Sequence, residues 1–160
     1  MPGSMDLFKQ VRPNDINIEV PVSAKPQELV YNIFNDLALN TFSAEEAAKK
    51  QNIPGYFLVE KKQITTRTLA DLLDEYLPKG KVIDFLNIDV EGLDFEVLTS
   101  NNWEKYRPEF VLVEDLSRRS IDLIIKDSQI FKFMVSRGYV FVAKTLNTLF
   151  FRKSSPYNGN

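Results

Sequence analysis

The sequence predicts an α/β fold built around an open, mixed sheet, and three observations carry that reading. Residues 82–88 form a nearly continuous apolar run that stops abruptly at two carboxylates and a glycine, Asp89, Glu91 and Gly92. Strands covered on both faces of a sheet read this way, and ligands in such sheets bind beyond the strands' carboxyl ends. A helical pattern over 91–98 and a second short apolar run, 110–113, follow at the spacing of a strand, helix, strand crossover, which predicts a right-handed parallel pair. The last two strand patterns, 139–144 and 149–152, flank the polar residues 145–148 and predict a C-terminal antiparallel hairpin.

The remaining elements follow in chain order. Ile16, Ile18, Val20 and Val22 alternate with polar residues, so 16–22 predicts a half-buried strand. Residues 29–34 and 41–43 flank an Asn-containing polar stretch and predict a hairpin. Ser43 and Glu46 have the spacing of a capping box and open a short helix through Gln51, which the turn 52–55 ends. Residues 57–66 read as a strand whose charged middle, Glu60 to Lys62, suits a sheet edge. Leu69, Leu72, Leu73, Tyr76 and Leu77 share one helical stripe over 68–77, closed by Pro78 and Gly80. In the helix 91–98, Phe95 and Leu98 point inward while Asp94 and Glu96 lie near its positive end. Ile121, Ile124, Ile125, Phe131, Met134 and Val135 mark one helix over 121–137, with Gly138 as its stop.

A chain of 160 residues, 44% hydrophobic and 12% aromatic, is long enough for one domain with a real core. Its formal charge of -2 offers no basic field for nucleic acid and favours a small-molecule partner. There is no Cys and no His, which excludes disulfides, thiolate chemistry, Ser-His-Asp catalysis and the usual transition-metal sites. Any acid or base is then a carboxylate, Lys, Tyr or a cofactor, and a metal would bind through oxygen, as Mg²⁺ or Ca²⁺ does. With no apolar run near 18 residues and no signal-peptide pattern, the expectation is a cytoplasmic chain with no membrane partner. Residues 1–4, followed by a second methionine at Met5, read as a cloning scar, 5–153 as a single partial domain, and 154–160 as a disordered tail.

Several segments together resemble the FkbM-type methyltransferase family: TRTLADLLDEYL (66–77), IDFLNIDVEGLDFEVL (83–98), SNNWEKYRP (100–108) and VLVE (111–114), with NTFS (40–43) and Ala47 similar to the family's middle section. The resemblance spans roughly 16–152. It implies a Rossmann-like class I methyltransferase sheet and S-adenosylmethionine-dependent methylation, commonly of a hydroxyl oxygen on a sugar or other small molecule. One departure is plain. Such enzymes open on a strand feeding a Gly-rich turn, whereas the six glycines here, at 3, 55, 80, 92, 138 and 159, are all far apart. The expectation is therefore an N-terminally truncated sheet. Its family order, 3-2-1-4-5-7-6, leaves 82–88 with an unpaired edge, to be covered by 16–22, by 57–66 or by a second copy of the chain in a homodimer. The alternative to an enzyme is a non-catalytic methyltransferase-like remnant or interaction module.

The candidate site gathers at the strand ends. By the resemblance, Asp89 faces the methionine end of the cofactor or the acceptor hydroxyl; it could equally cap the following helix. Glu91 could accept the acceptor's proton or hold a divalent cation with Asp89, or sit as an ordinary first-turn helix glutamate. Gly92 permits close backbone approach to a cofactor or tight helix packing. Asn87, polar inside an apolar strand, supports the cofactor site or lies at a ladder edge. Glu114 ends the next strand and, with Asp115, would line the same crevice on the substrate side, unless merely solvated. Trp103 and Tyr106 read as core or rim residues, and Arg118 and Arg119 as surface charges.

Overall fold

The computed structural model describes residues 4–154, arranged as a mixed α/β fold with two sheets. The expected scar, 1–4, and tail, 154–160, lie outside the described residues except for Ser4, which begins a helix, and Ser154. Helix α1 (Ser4–Val11) was not anticipated; Leu7 and Val11 on it are exposed. Strand β1 (Glu28–Phe34) pairs antiparallel with β2 (Leu58–Thr65) as a two-stranded sheet. The expected partner of β1, 41–43, makes only one bridge, Thr41 to Asn32, after a 3-10 turn at Leu37–Leu39. Helix α2 (Ala44–Gln51) starts as its sequence requires, with the Ser43 hydroxyl accepting from Glu46 N at 3.2 Å.

Helix α3 (Leu69–Tyr76) is capped by Thr68, which accepts from Asp71 N at 3.0 Å. Strand β3 (Phe85–Ile88) then runs parallel to β4 (Phe110–Glu114), joined through helix α4 (Asp94–Thr99). Two helices, α5 (Ile121–Asp127) and α6 (Gln129–Ser136), lead to the antiparallel hairpin β5 (Tyr139–Lys144) and β6 (Thr148–Lys153). The sheet order is β3-β4-β6-β5, with β6 antiparallel to both neighbours. Val111 and Val113 of β4 and Leu149 and Phe151 of β6 are fully buried against Leu98, Ile124 and Met134 of the helices. Trp103 lies in the same core, only 3% exposed, its indole N–H donating to Leu98 O and its ring edge-on to Phe133 and Tyr139. Among the described residues no helix is long and apolar enough to cross a membrane.

Four expectations are corrected. Residues 16–22 form no strand; only Val22 makes a bridge, to Arg67. An alternating pattern becomes a strand only where a neighbour offers ladder hydrogen bonds, and β1 and β2 have taken each other. The run 82–88 is not a centre buried on both faces: only 85–88 is strand, it lies at the sheet edge, and Val82 and Phe85 are 76% and 66% exposed. Phe85 and Phe110 pair across β3 and β4 on a face that helices leave open. Neither 16–22 nor 57–66 covers that edge. Finally, the single helix over 121–137 breaks at Ser128, whose extended backbone (φ -68°, ψ 128°) ends α5 and caps α6.

The break has an identifiable cause. The buried Ser128 hydroxyl donates to Asp115 Oδ2 at 3.3 Å and accepts from Phe131 N at 3.3 Å, so one side chain anchors the new helix start to the end of β4. Ser128→Ala is expected to lower stability by about 1–2 kcal/mol, read as a shift of the urea midpoint with unchanged slope.

Candidate functional site

Residues 89–93 do not begin a helix; they form a tight turn between β3 and α4. Asp94, the first residue of α4, is buried and closes the turn by accepting from Val90 N at 3.0 Å and Gly92 N at 3.1 Å. Within the turn Glu91 is left-handed, φ 55°, a conformation that a non-glycine residue holds only when its surroundings fix it. Those surroundings come from the small-sheet side of the molecule. The Thr41 hydroxyl donates to Glu91 O at 2.7 Å, and Lys50 Nζ donates to Glu91 Oε2 at 2.8 Å and to Leu39 O at 3.2 Å. Lys50 is only 7% exposed, and the pairing keeps its ammonium group from being buried without a partner. Gly92 follows with φ 102°, and a Cβ there would stand 2.9 Å from Glu46 Cγ and 3.2 Å from Ser43 Cβ. Its lack of a side chain lets the N-terminus of α2 pack against the turn.

This turn brings three of the expected residues together. Asp89, Glu91 and Glu114, from the ends of the parallel strands β3 and β4, each place a carboxylate oxygen within 4.8 Å of the other two. Asp89 is exposed, Glu91 is tied to Lys50, and Glu114 has one oxygen buried without a hydrogen-bond partner. Burial first, then the charges of Asp89, Asp94 and Glu91, push Glu114 up to about 7, with Lys50 opposing. Burial also lifts Asp94 to about 6, helped by Asp89 and opposed by its backbone hydrogen bonds. A carboxyl group with proton affinity near neutrality can act as acid or base under physiological conditions. Three oxygens at this spacing suit a hard divalent cation, and also an organic cation, since Lys50 neutralises only part of their charge.

Two cavities flank the turn. One, of about 440 Å³, is lined by Gly92, Asp94, Glu114, Asp115, Arg119 and Ser128. The other, of about 370 Å³, is lined by Asp89, Val90 and Glu91 on one side and by Tyr31, Asn40 and Phe42 on another.

The remaining candidates are placed as follows. Asn87 is exposed on the outer strand of the main sheet. Asp115 is buried and already engaged, accepting from Ser117 N and Ser128 Oγ, with Arg119 Nη2 at 3.6 Å. Trp103 and Tyr106 are core residues, the Tyr106 hydroxyl donating to Asp74. Arg118 is exposed with φ 53°. Asp89 does not cap α4, whose N-cap is Leu93 without a side-chain bond. Sequence reasoning missed Lys50, Thr41 and the buried state of Asp94. A lysine in the last turn of a short helix looks like an ordinary surface residue, and only the fold brings it to Glu91.

Two consequences can be measured. Gly92→Ala combines a left-handed φ with a steric overlap and is expected to destabilise by about 1–3 kcal/mol in urea unfolding. For pH, Asp94 and Glu114 bind protons more tightly in the folded chain than in the unfolded one. Stability should therefore fall as pH rises from about 4, where unfolded carboxyls ionise, through about 7, where Glu114 does. Glu114→Gln should flatten the upper part of that fall in melting temperatures recorded between pH 5 and 8.

A family model described as the methyltransferase FkbM domain matches residues 2–141 of this chain. Comparison with curated proteins and with solved structures gives no match.

Proposed function

The chain belongs to the FkbM methyltransferase family, and from that premise we propose that it methylates a hydroxyl oxygen of a sugar or other small molecule, using S-adenosylmethionine. The observation that carries this reading is the meeting of Asp89, Glu91 and Glu114 at the carboxyl ends of two parallel strands. The sheet is read as the back half of a Rossmann-like class I methyltransferase sheet; its parallel pair and closing C-terminal hairpin support that.

The residues present fit the cofactor at one end. A partly neutralised carboxylate cluster suits its cationic sulfonium and amino groups, and Asp89, the exposed member, is the residue proposed to hold them. Held there by Asp89, S-adenosylmethionine would supply an electrophilic methyl carbon for the acceptor oxygen. The chain's own part is positioning and proton transfer. Lys50 and Thr41 fix Glu91, so Asp89 and Glu91 form a stable rim that orients the acceptor hydroxyl. Glu114, with its affinity near 7, is the member suited to take the hydroxyl proton. Gly92 and Asn87 are weaker parts of the cofactor proposal, because Glu46 and Ser43 fill the space over Gly92 and Asn87 lies on the open sheet edge. Asp115, expected on the substrate side, is proposed to shape the crevice beside Glu114 through Ser117 and Ser128 rather than by contact.

A second reading, a non-catalytic methyltransferase-like module, is favoured by that filled space at Gly92 and by glycines too scattered to make a phosphate-style cradle. On the enzyme reading, the rest of the cofactor's binding surface comes from another chain or a different loop. A second copy pairing along the β3 edge is the partner proposed, and light scattering at twice the chain mass would support it. Calorimetry decides between the two readings. Micromolar affinity for S-adenosylmethionine, weakened about tenfold by Asp89→Asn, supports the enzyme; no heat at millimolar ligand favours the module.

A further inference from the structure

The cavity on the small-sheet side of the turn differs in chemistry from its neighbour. Its walls are apolar or aromatic: Tyr31 and Phe42 stand with ring centroids 4.6 Å apart, tilted by 37°, and Val22, Leu37 and Leu93 complete them. Its polar groups gather at one end. Asp89 and Glu91 have oxygens within 4.8 Å of each other, and the Thr41 hydroxyl is bonded to Glu91 O. Asn40 also lines the cavity. It is 7% exposed, and its Oδ1 accepts from Phe34 N at 2.8 Å. Its amide lies beside the Tyr31 hydroxyl, whose pKa burial raises and Asn40 partly draws back.

We infer that this cavity is the acceptor site and takes a flat aromatic ring bearing a hydroxyl on one edge, a phenolic acceptor. The inference rests on the methyltransferase reading for the word acceptor, and on the cavity itself for the ring. A sugar carries hydroxyls around its whole rim and would leave most of them facing Tyr31, Phe42, Val22 and Leu93 without hydrogen bonds. A phenol has one polar edge and two apolar faces, which matches a cluster of polar groups beside one aromatic wall, Tyr31 packed on Phe42, with Val22, Leu37 and Leu93 completing the apolar lining. Its hydroxyl would lie at Asp89 and Glu91, the only carboxylates lining this cavity among the described residues, with an oxygen of Glu114 within 4.8 Å of theirs. The other cavity sets Asp94, Glu114, Asp115 and Arg119 among Phe95, Leu116 and Ile130, and that denser set of charges suits such a ring less well.

The test is a ¹H–¹⁵N NMR titration of the full chain with p-cresol, set against methyl α-glucopyranoside and adenosine. The expected result is saturable shifts at the amides of Asn40, Thr41 and Val90 with p-cresol, weakened about tenfold by Phe42→Ala. Leu37→Trp, at a rim position 53% exposed and so tolerant of a larger side chain, should block those shifts while leaving the rest of the spectrum in place. Glucoside shifting the same amides more strongly, adenosine taking the cavity in preference, or no p-cresol shift at millimolar concentration would each overturn the proposal. Calorimetry with S-adenosylmethionine separates the two levels. Cofactor binding without p-cresol binding removes this site and keeps the methyltransferase; the reverse keeps the ring site and removes the methyltransferase.

Discussion

The ion pair between Lys50 and Glu91 is the contact on which the rest of the site depends. It lies where the two sheets' territories meet, with Lys50 on α2 and Glu91 beyond β3. A lysine buried to this degree needs a partner, and a left-handed glutamate needs a reason to stay left-handed; each supplies what the other lacks. Thr41 and the Gly92 contact with Glu46 add two more attachments to the same five residues. The small sheet and its helix thus act as a brace for the acidic turn.

The brace explains why three carboxylates crowded within 4.8 Å do not simply repel one another apart. One is paired with an ammonium group, one faces water, and one lowers the local charge by holding its proton to about 7. Like groups in unlike surroundings take on different properties, and the proposed division between binding and proton transfer draws on that difference.

What was legible in the sequence was mostly local. Ser43 and Thr68 cap their helices because a hydroxyl reaches a backbone N–H three residues on, whatever the rest of the chain does. The C-terminal hairpin was legible because a short connection leaves few other partners, and the parallel pair because a strand, helix, strand crossover sets its strands side by side in one direction. The expectation for 16–22 failed because alternation does not name a neighbouring strand. The expectation of one helix over 121–137 failed because apolar periodicity runs through Ser128, while the break is set by Asp115, thirteen residues earlier. In the site, Asp89, Glu91 and Glu114 could be found from strand ends alone. Lys50 could not, since 41 residues separate it from Glu91 and nothing in its own helix marks it.

The placement of Trp103 gives the molecule a built-in reporter. It is the sole indole in the chain and is enclosed by the helices and strands of the larger sheet. Its emission therefore follows the loosening of that half alone, while the β1–β2 ribbon, whose aromatic groups are Tyr31 and Phe34, is silent at tryptophan wavelengths. Comparing fluorescence with far-ultraviolet dichroism would then show whether the brace detaches before the sheet it supports or melts together with it.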